Sequence, residues 1–488
     1  MKIKSPVKRC VVLAVLAPLV GAGVITAKSS LYTSQTYLLT QPAYQNVGLV
    51  LGTWGSLTVK KCGARQSAFR LAPFYQKSRD WPCIAAYFLL DCKSTITIAG
   101  DSSASALTRD VRAEWLELTN SELSSTLTLN PVQRQAGAII TLNQDLQDWF
   151  SDSVLSCFWL ELDLPILKVK NNIKPCSPSQ DVLDAFHRPD LDYAQMTCCT
   201  REKKGIAEIK GVAGVHALSD ESSSLDFYLG LGAPGESHVK PDYLFNPVLG
   251  SNGHWSFIAG LMARFPLYEC PAECNRVRWF ADMEMHYYFH NHQCRTFDLF
   301  HRPWSRYLLL RPVDPATPTK GLPTMVPAAN LFTQRVKVKP HALIDLATGF
   351  TVDRGNFSFE CAYGLWTHHG EQLEWPNKTC CDQLPLALES YGIADTTPGS
   401  LKSASTSTIK ELHPDPDNTF VRLHATDLDL CSGAARGVAS NRLQASLSYR
   451  RPYCNSAFFL AAGGSVNFPH TNTALQSWLV WATVGYEC

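Results

Sequence analysis

Two long stretches of the chain alternate between apolar and polar residues. From Trp255 to Leu267 every second residue is apolar, and the alternation returns from Val277 to Phe289 with charged residues between the apolar ones. A period of two places the two sets on opposite faces of a β-strand. Both runs are about twice as long as an ordinary strand. An apolar band that ends in aromatic residues and is backed by a charged face is typical of a transmembrane β-strand.

A long hairpin in a soluble β-sandwich would show the same alternation. The residues on the polar face distinguish a sandwich from a transmembrane barrel. Glu161 and Asp163 alternate with leucines in another run. Unpaired carboxylates would be costly to bury in a sandwich core, whereas they cost little when they face a wet lumen. Similar patterns predict strands near 47–60, 68–76, 84–98, 134–146, 158–166, 207–215, 225–231, 255–267, 277–289, 341–352, 356–365, 439–451, 456–468 and 476–488.

The lengths of the links between these strands also favour a barrel. If the C-terminus lies in the periplasm, the short links fall on the periplasmic side and the longest links fall outside, as in bacterial outer-membrane barrels. The long external loops are predicted near 98–133, 170–205, 291–335 and 370–438. The sequence therefore predicts an all-β, transmembrane, antiparallel up-and-down β-barrel over residues 47–488, with about 14 strands in a range of about 12–16.

The N-terminus has the pattern of an export signal. Basic residues precede an uncharged run from Cys10 to Ala27 and polar residues follow it. We expect a signal peptide over residues 1–27 and a periplasmic lead-in over 28–46. A single N-terminal anchor helix is the alternative, because the run could just span a bilayer. No later stretch of comparable length is free of charge, so we expect no helical membrane spans.

Composition narrows the possible partners. A formal net charge of +1 argues against nucleic acid, whose partners are normally basic. There are seventeen cysteines, and loss of Cys10 with the signal would leave an even number, which in an exported chain suggests disulfides. Their connectivity stays open. None shows the C-x-x-C spacing of a zinc site.

Catalytic and metal-binding patterns are weak. His286 and His290 are four residues apart, which on a strand separates them by roughly 13 Å, too far to share one ion. The sequence has no nucleophile elbow and no phosphate-binding glycine loop, so we expect neither an enzyme nor a cofactor. The charged residues on the polar strand faces are the candidates for lining the lumen: Glu161, Asp163, Arg264, Arg276, Arg278, Asp282, Glu284, His286, Arg442 and Arg450.

The last strand, from Trp478 to Cys488, resembles the closing strand of outer-membrane β-barrels, although its final residue is Cys488 rather than phenylalanine. From about residue 66 onwards the chain resembles porin-like barrel proteins of intracellular, host-associated bacteria. The stretches that carry this resemblance are 143–146, 304–309 and 363–366. The resemblance implies an outer-membrane location, contact with the barrel-insertion machinery through the C-terminal strand, and possible disulfide linkage within the envelope.

Two functions follow as expectations. In the first, the chain is a porin-like channel for passive diffusion of small solutes, in contact with outer-membrane lipid, and its lumen charges set selectivity. In the second, the lumen charges pair with each other or with a folded-in loop, and the chain is a non-conducting envelope protein. Its cross-linking or host contacts would use cysteines of the external loops, namely Cys176, Cys198, Cys199, Cys380 and Cys381. Oligomerisation is open in both cases.

Overall fold

The computed structural model describes most of the chain in a series of ranges. These are residues 32–45, 67–80, 82–147, 149–150, 154–219, 223–236, 238–270, 275–317, 320–376, 388–394, 401–402, 409, 422–453 and 456–487. The predicted signal peptide over residues 1–27 and the predicted strand over 47–60 lie outside the described residues.

Twelve long strands form a closed antiparallel ring in which each strand pairs with the next along the chain and the last pairs with the first. In chain order they are β1 (Ser67–Ser78), β2 (Val132–Asp145), β3 (Phe158–Asn172), β4 (Glu208–Ser219), β5 (Ser224–Pro234), β6 (Ser256–Cys270), β7 (Asn275–Tyr288), β8 (His341–Arg354), β9 (Phe357–His368), β10 (Val438–Tyr453), β11 (Ser456–Pro469) and β12 (Ser477–Glu487). A further strand, Arg201–Ile206, pairs with residues 166–171 of β3, whereas β4 pairs with residues 158–163 of the same strand. The predicted all-β antiparallel barrel is confirmed.

The ring has two strands fewer than the predicted number of about 14, within the range of about 12–16. Each of its strands coincides with a predicted one. The prediction was wrong for 84–98, where the chain forms a short helix at Ala85–Phe88 and a separate strand at Thr95–Ala99. The apolar run at 84–90 is buried on all sides, so it has no face left for lipid.

The two faces of the barrel strands differ as the period of two requires. The outward face carries exposed apolar side chains, among them Leu160, Leu162, Leu229, Phe350 and Leu460, each 44–57% exposed. The inward face carries polar and charged side chains that are buried. An outer surface of this kind fits the hydrocarbon region of a bilayer. No helix in the described ranges is long and apolar enough to cross a membrane.

Links of different lengths lie at opposite ends of the ring. One end holds 146–157, 220–223, 271–274, 355–356 and 454–455, and we call it the short-link end. The other, the long-link end, holds 79–131, 173–207, 235–255, 289–340, 369–437 and 470–476. The long-link end also holds the link 235–255, which the sequence did not predict as a long loop.

The described parts of the long links fold together into a cap with an apolar core of its own. Trp115, Phe297 and Trp304 are at most 1% exposed in this core. Small sheets frame it: Thr95–Ala99, Val111–Arg112, Ser124–Leu129 and Pro175–Cys176; Asn291–Thr296, Thr333–Lys339 and Gln372–Glu374; Leu309–Pro312, Val326–Pro327, Tyr391–Ala394 and Leu401–Lys402; and Asp298–Leu299 with Leu428–Asp429. Two further short helices, Gln180–Ala185 and Ala328–Phe332, belong to the same links. There are also 3-10 turns at Pro82–Ile84, Ala113–Leu116, Val154–Cys157, Ser305–Tyr307, Ala425–Asp427 and Leu430–Gly433.

Residues 32–45, which we call the N-terminal segment, run from the cap into the barrel. At its start the backbone N–H of Tyr32 donates to Asn472 in the link between β11 and β12. Leu38 belongs to the cap core, and Ala43 packs with Ala72 and Leu479 of the barrel wall. The structure places these residues at the long-link end, and the predicted periplasmic lead-in stays a prediction.

Candidate functional site

The lumen is organised around Lys210 on β4. Its Nζ lies 2.9 Å from Asp163 Oδ2, 3.1 Å from Glu284 Oε2 and 3.8 Å from Glu161 Oε1. Asp163 is the direct cross-strand neighbour of Lys210, while Glu284 reaches it from β7. Three carboxylates, two from β3 and one from β7, thus converge on one ammonium group of β4. Such a cluster leaves an excess of negative charge at the centre of the barrel.

A cavity of about 60 Å³ lies beside this cluster. By volume it has room for a few water molecules. The charged side chains and the imidazole that line it are five carboxylates, two cations and one histidine: Glu161, Asp163, Glu208, Asp282, Glu284, Arg70, Lys210 and His286. Tyr228 donates from its hydroxyl to Glu284 Oε2 at 3.0 Å, and Ser256 donates to Glu208 Oε1 at 2.6 Å. Asp282 Oδ1 is buried and has no hydrogen-bond partner among the described residues.

Further ion pairs join the strands across the lumen, and most of them lie towards the short-link end. At the level of the central cluster, Arg442 of β10 bonds Asp345 of β8 across β9 at 2.8 Å, and both side chains are at most 4% exposed. Arg278 bonds Asp353 at 2.8 Å. Further pairs join Arg450 to Glu487 and His216 to Asp226. Charge pairing of this density agrees with the self-plugged form of the lumen.

The N-terminal segment reaches into the lumen from the long-link end. The Ala43 N–H donates to Gln135 Oε1 at 2.9 Å. Tyr44 donates from its hydroxyl to Glu208 Oε2 at 3.3 Å, and Gln45 donates from Nε2 to the Tyr288 hydroxyl at 2.7 Å. Both Tyr44 and Gln45 line the central cavity. The segment is therefore bonded directly to the charged cluster.

Burial governs the electrostatics of the polar groups around the mouth and in the cap. Burial lowers the pKa of His254, in the link before β6, to about 4. Its Nδ1–H donates to the Phe289 carbonyl at 2.8 Å, so Nε2 can accept from Gln293. In the cap, burial raises the pKa of Asp298 in spite of the opposing charge of Arg306. Burial thus favours the uncharged form of both the His254 imidazole and the Asp298 carboxyl group.

The predicted lumen residues occupy different places along the barrel. Glu161, Asp163, Asp282, Glu284 and His286 line the central cavity. Those buried outside it are Arg264, Arg278 and Arg442. At the short-link end, two half-exposed arginines pair with carboxylates, Arg450 with Glu487 and Arg276 with Glu269.

Sequence reasoning missed several members of the cluster. Lys210, Arg70 and Glu208 face the cavity, but each has small or apolar residues directly beside it in the sequence. Their signal was the period of two alone, since Arg70 lies between Phe69 and Leu71. In the part of the chain that the structure describes, no three histidine, cysteine or acidic residues are placed to hold a metal ion.

No protein-family model and no curated protein sequence matches the chain. Solved structures that are similar in fold are outer-membrane β-barrels. An outer membrane channel of Pseudomonas putida F1 has a TM-score of 0.37 and 9% identity, covering 88% of this chain and 100% of its own. A mutant of the monoaromatic hydrocarbon channel TodX has a TM-score of 0.36 and 8% identity, covering 93% and 96%. The transport unit of the Escherichia coli autotransporter AIDA-I has a TM-score of 0.30 and 7% identity, covering 90% and 96%. With every TM-score below 0.5, these likenesses say nothing about what this chain binds or carries.

Proposed function

We propose that this chain is an outer-membrane barrel that passes small solutes, with a preference for cations, and that the conformation described here is closed. The observation that carries the proposal is the polar cavity in the middle of a barrel with an apolar outer surface. Buried charges cost free energy that an apolar filling would avoid, so a hydrated, charged interior is typical of a solute path. In this proposal the long-link end faces the cell exterior, and the barrel-insertion machinery recognises the C-terminal strand.

The preference for cations follows from the charges around the cavity. Five carboxylates face Arg70, Lys210 and His286 there. Fixed negative charge in a narrow, low-dielectric space attracts cations and repels anions. A permeating cation would also give the buried Asp282 Oδ1 the partner that it lacks among the described side chains.

Opening requires the N-terminal segment to leave the mouth, so a variant that weakens its hold tests the proposal. Gln135→Ala removes the acceptor of the Ala43 N–H and the donor to the Gln41 carbonyl. In planar-bilayer recordings of the folded protein we expect this variant to spend at least several-fold more time open than the wild type, since each lost hydrogen bond is worth roughly 1 kcal/mol.

The matched control is Gln444→Ala. Gln444 is also a buried lumen glutamine, but it bonds to Glu360 rather than to the N-terminal segment. We expect its open time to match that of the wild type. Equal open times in all three proteins would contradict the proposed role of the segment, and silence in all three would contradict conduction itself.

A second function has support from different observations. The lumen is closely packed, the cap is a folded domain, and Cys176, Cys198 and Cys199 are exposed on the long links. A non-conducting envelope protein cross-linked through these thiols would have the same features, while Cys380 and Cys381 lie outside the described residues. Silent recordings, together with oligomers that dissociate only under reductant, would favour this function over the channel.

A further inference from the structure

A row of basic side chains crosses one side of the barrel at the long-link end. Lys77 on β1 is opposite Arg134 on β2, and Arg134 is opposite Lys170 on β3. Two residues further down β3, Lys168 is opposite Lys204 of the extra strand. Directly opposed residues of an antiparallel pair share a face and lie about 5 Å apart. These side chains therefore form one continuous basic row.

The row lies on the outward face, directly beyond the apolar band. On β3 the outward positions run Leu160, Leu162, Leu164 and Ile166 before they reach Lys168 and Lys170. On β1 the outward residue before Lys77 is Tyr75, whose ring lies 5.5 Å from that of Trp478. Aromatic residues of this kind mark the boundary between hydrocarbon and headgroups. The basic row is thus at the depth of lipid headgroups.

Protein anions balance only part of this charge. Glu202 lies 2.5 Å from Lys168 and 3.4 Å from Lys170. Lys77 and Arg134, although opposite each other, have no ion pair within the described ranges. Like charges directly opposed across strands are destabilising, so this arrangement favours an external anion.

The row is confined to one side of the barrel. At the same end, outward positions of other strands carry uncharged residues, namely Phe257, Tyr287, Thr367 and Phe468. A general attraction to a charged surface would not need such clustering. The clustering on neighbouring strands instead matches a ligand with one or two phosphate groups.

We propose that the basic row, with Lys77 and Arg134 at its core, binds the phosphate groups of an anionic lipid in the leaflet at the long-link end. The lipid's acyl chains would lie along the apolar outer face of β1, β2 and β3, and its phosphate would accept hydrogen bonds from both side chains. The inference rests on the membrane placement in the proposed function, but it does not depend on conduction.

Lipid binding to the folded protein in detergent tests the proposal. The probes are lipid A, which bears phosphate monoesters, and the same lipid after removal of its phosphates, with bound lipid counted by native mass spectrometry. We expect the wild type to bind the phosphorylated form about tenfold more tightly or better, and Lys77→Gln/Arg134→Gln to lose about tenfold in affinity for it. Added salt should weaken the binding.

The control variant, Arg354→Gln/Arg451→Gln, removes two exposed arginines at the short-link end. We expect its affinity to stay close to that of the wild type, and a heat-dependent gel shift would establish that every variant is folded. Equal affinity for the two lipids, an equal loss in the control, or displacement of the lipid by millimolar inorganic phosphate would overturn the proposal. Phosphate-dependent lipid binding by a protein that never conducts would leave this inference standing and remove the channel function.

Discussion

Arg306 shows what a buried charge requires in this protein. Its side chain is fully buried in the cap, where Nη1 bonds Asp298 Oδ2 at 2.5 Å. Asp298 accepts two further bonds, one from Ser34 and one from the Arg306 backbone N–H. Ser34 belongs to the N-terminal segment, so this ion pair ties the segment to the cap. The lumen charges, by contrast, pair mostly within the barrel wall.

Removing the cation of this pair should destabilise the cap strongly. Arg306→Met leaves Asp298 buried without its charge partner, and such a loss typically costs about 3–5 kcal/mol. Urea unfolding in detergent, followed by fluorescence of the adjacent Trp304, would measure it. Arg335→Met is the control, because Arg335 is exposed on a cap strand and its loss should change the free energy of unfolding little. Similar shifts in both variants would contradict the importance of the buried pair.

At the scale of the strand, small residues make room for large lumen side chains on neighbouring strands. A Cβ added at Gly214 would lie 2.1 Å from the Trp159 ring of β3. Gly211, on the same strand but with its face towards lipid, would have nothing within 4 Å of an added Cβ. The space beside the glycines of β4 is therefore filled on the lumen face and empty on the lipid face.

This difference gives a matched pair of variants. Gly214→Ala must displace Trp159, and overpacking of this kind costs about 1–3 kcal/mol. Gly211→Ala should change the free energy of unfolding by less than about 0.5 kcal/mol. Urea unfolding of both variants in lipid vesicles would measure the difference. Equal stability of the two would mean that Trp159 is not packed against β4.

The strands were predictable from the sequence because each one that lines the ring carries its own period of two. The region 84–98 was mistaken for a strand because a continuous apolar run satisfies a buried helix as well as a strand. The lumen cluster was predictable only in part. That Lys210 meets Asp163 depends on the register between two strands, which no pattern within either strand specifies.

The N-terminal segment was predictable least of all. Its residues are polar and without period, so the sequence predicts only a short periplasmic lead-in and no contacts with the barrel or the cap. Its position is instead set by contacts with residues far along the chain, such as that between Tyr32 and Asn472. Contacts of this kind arise from the assembled ring and cap, and local sequence does not encode them.

Considered as a whole, the molecule combines a barrel with an apolar outer face, a folded cap and a charged interior that is closed in this conformation. The cap and the N-terminal segment lie at one end, and several ion pairs lie towards the other. A solute path through this arrangement needs movement of the segment and exchange of lumen ion pairs for contacts with solute. Its charge would favour cations at the central cavity.

The most direct test is the reversal potential of the wild-type protein in a planar bilayer across a potassium chloride gradient. We expect discrete opening steps whose reversal potential lies towards the potassium equilibrium potential, because carboxylates outnumber cations around the cavity. Asp282→Asn should move that potential towards zero. A reversal potential on the chloride side, or silence from protein shown to be folded, would contradict this expectation.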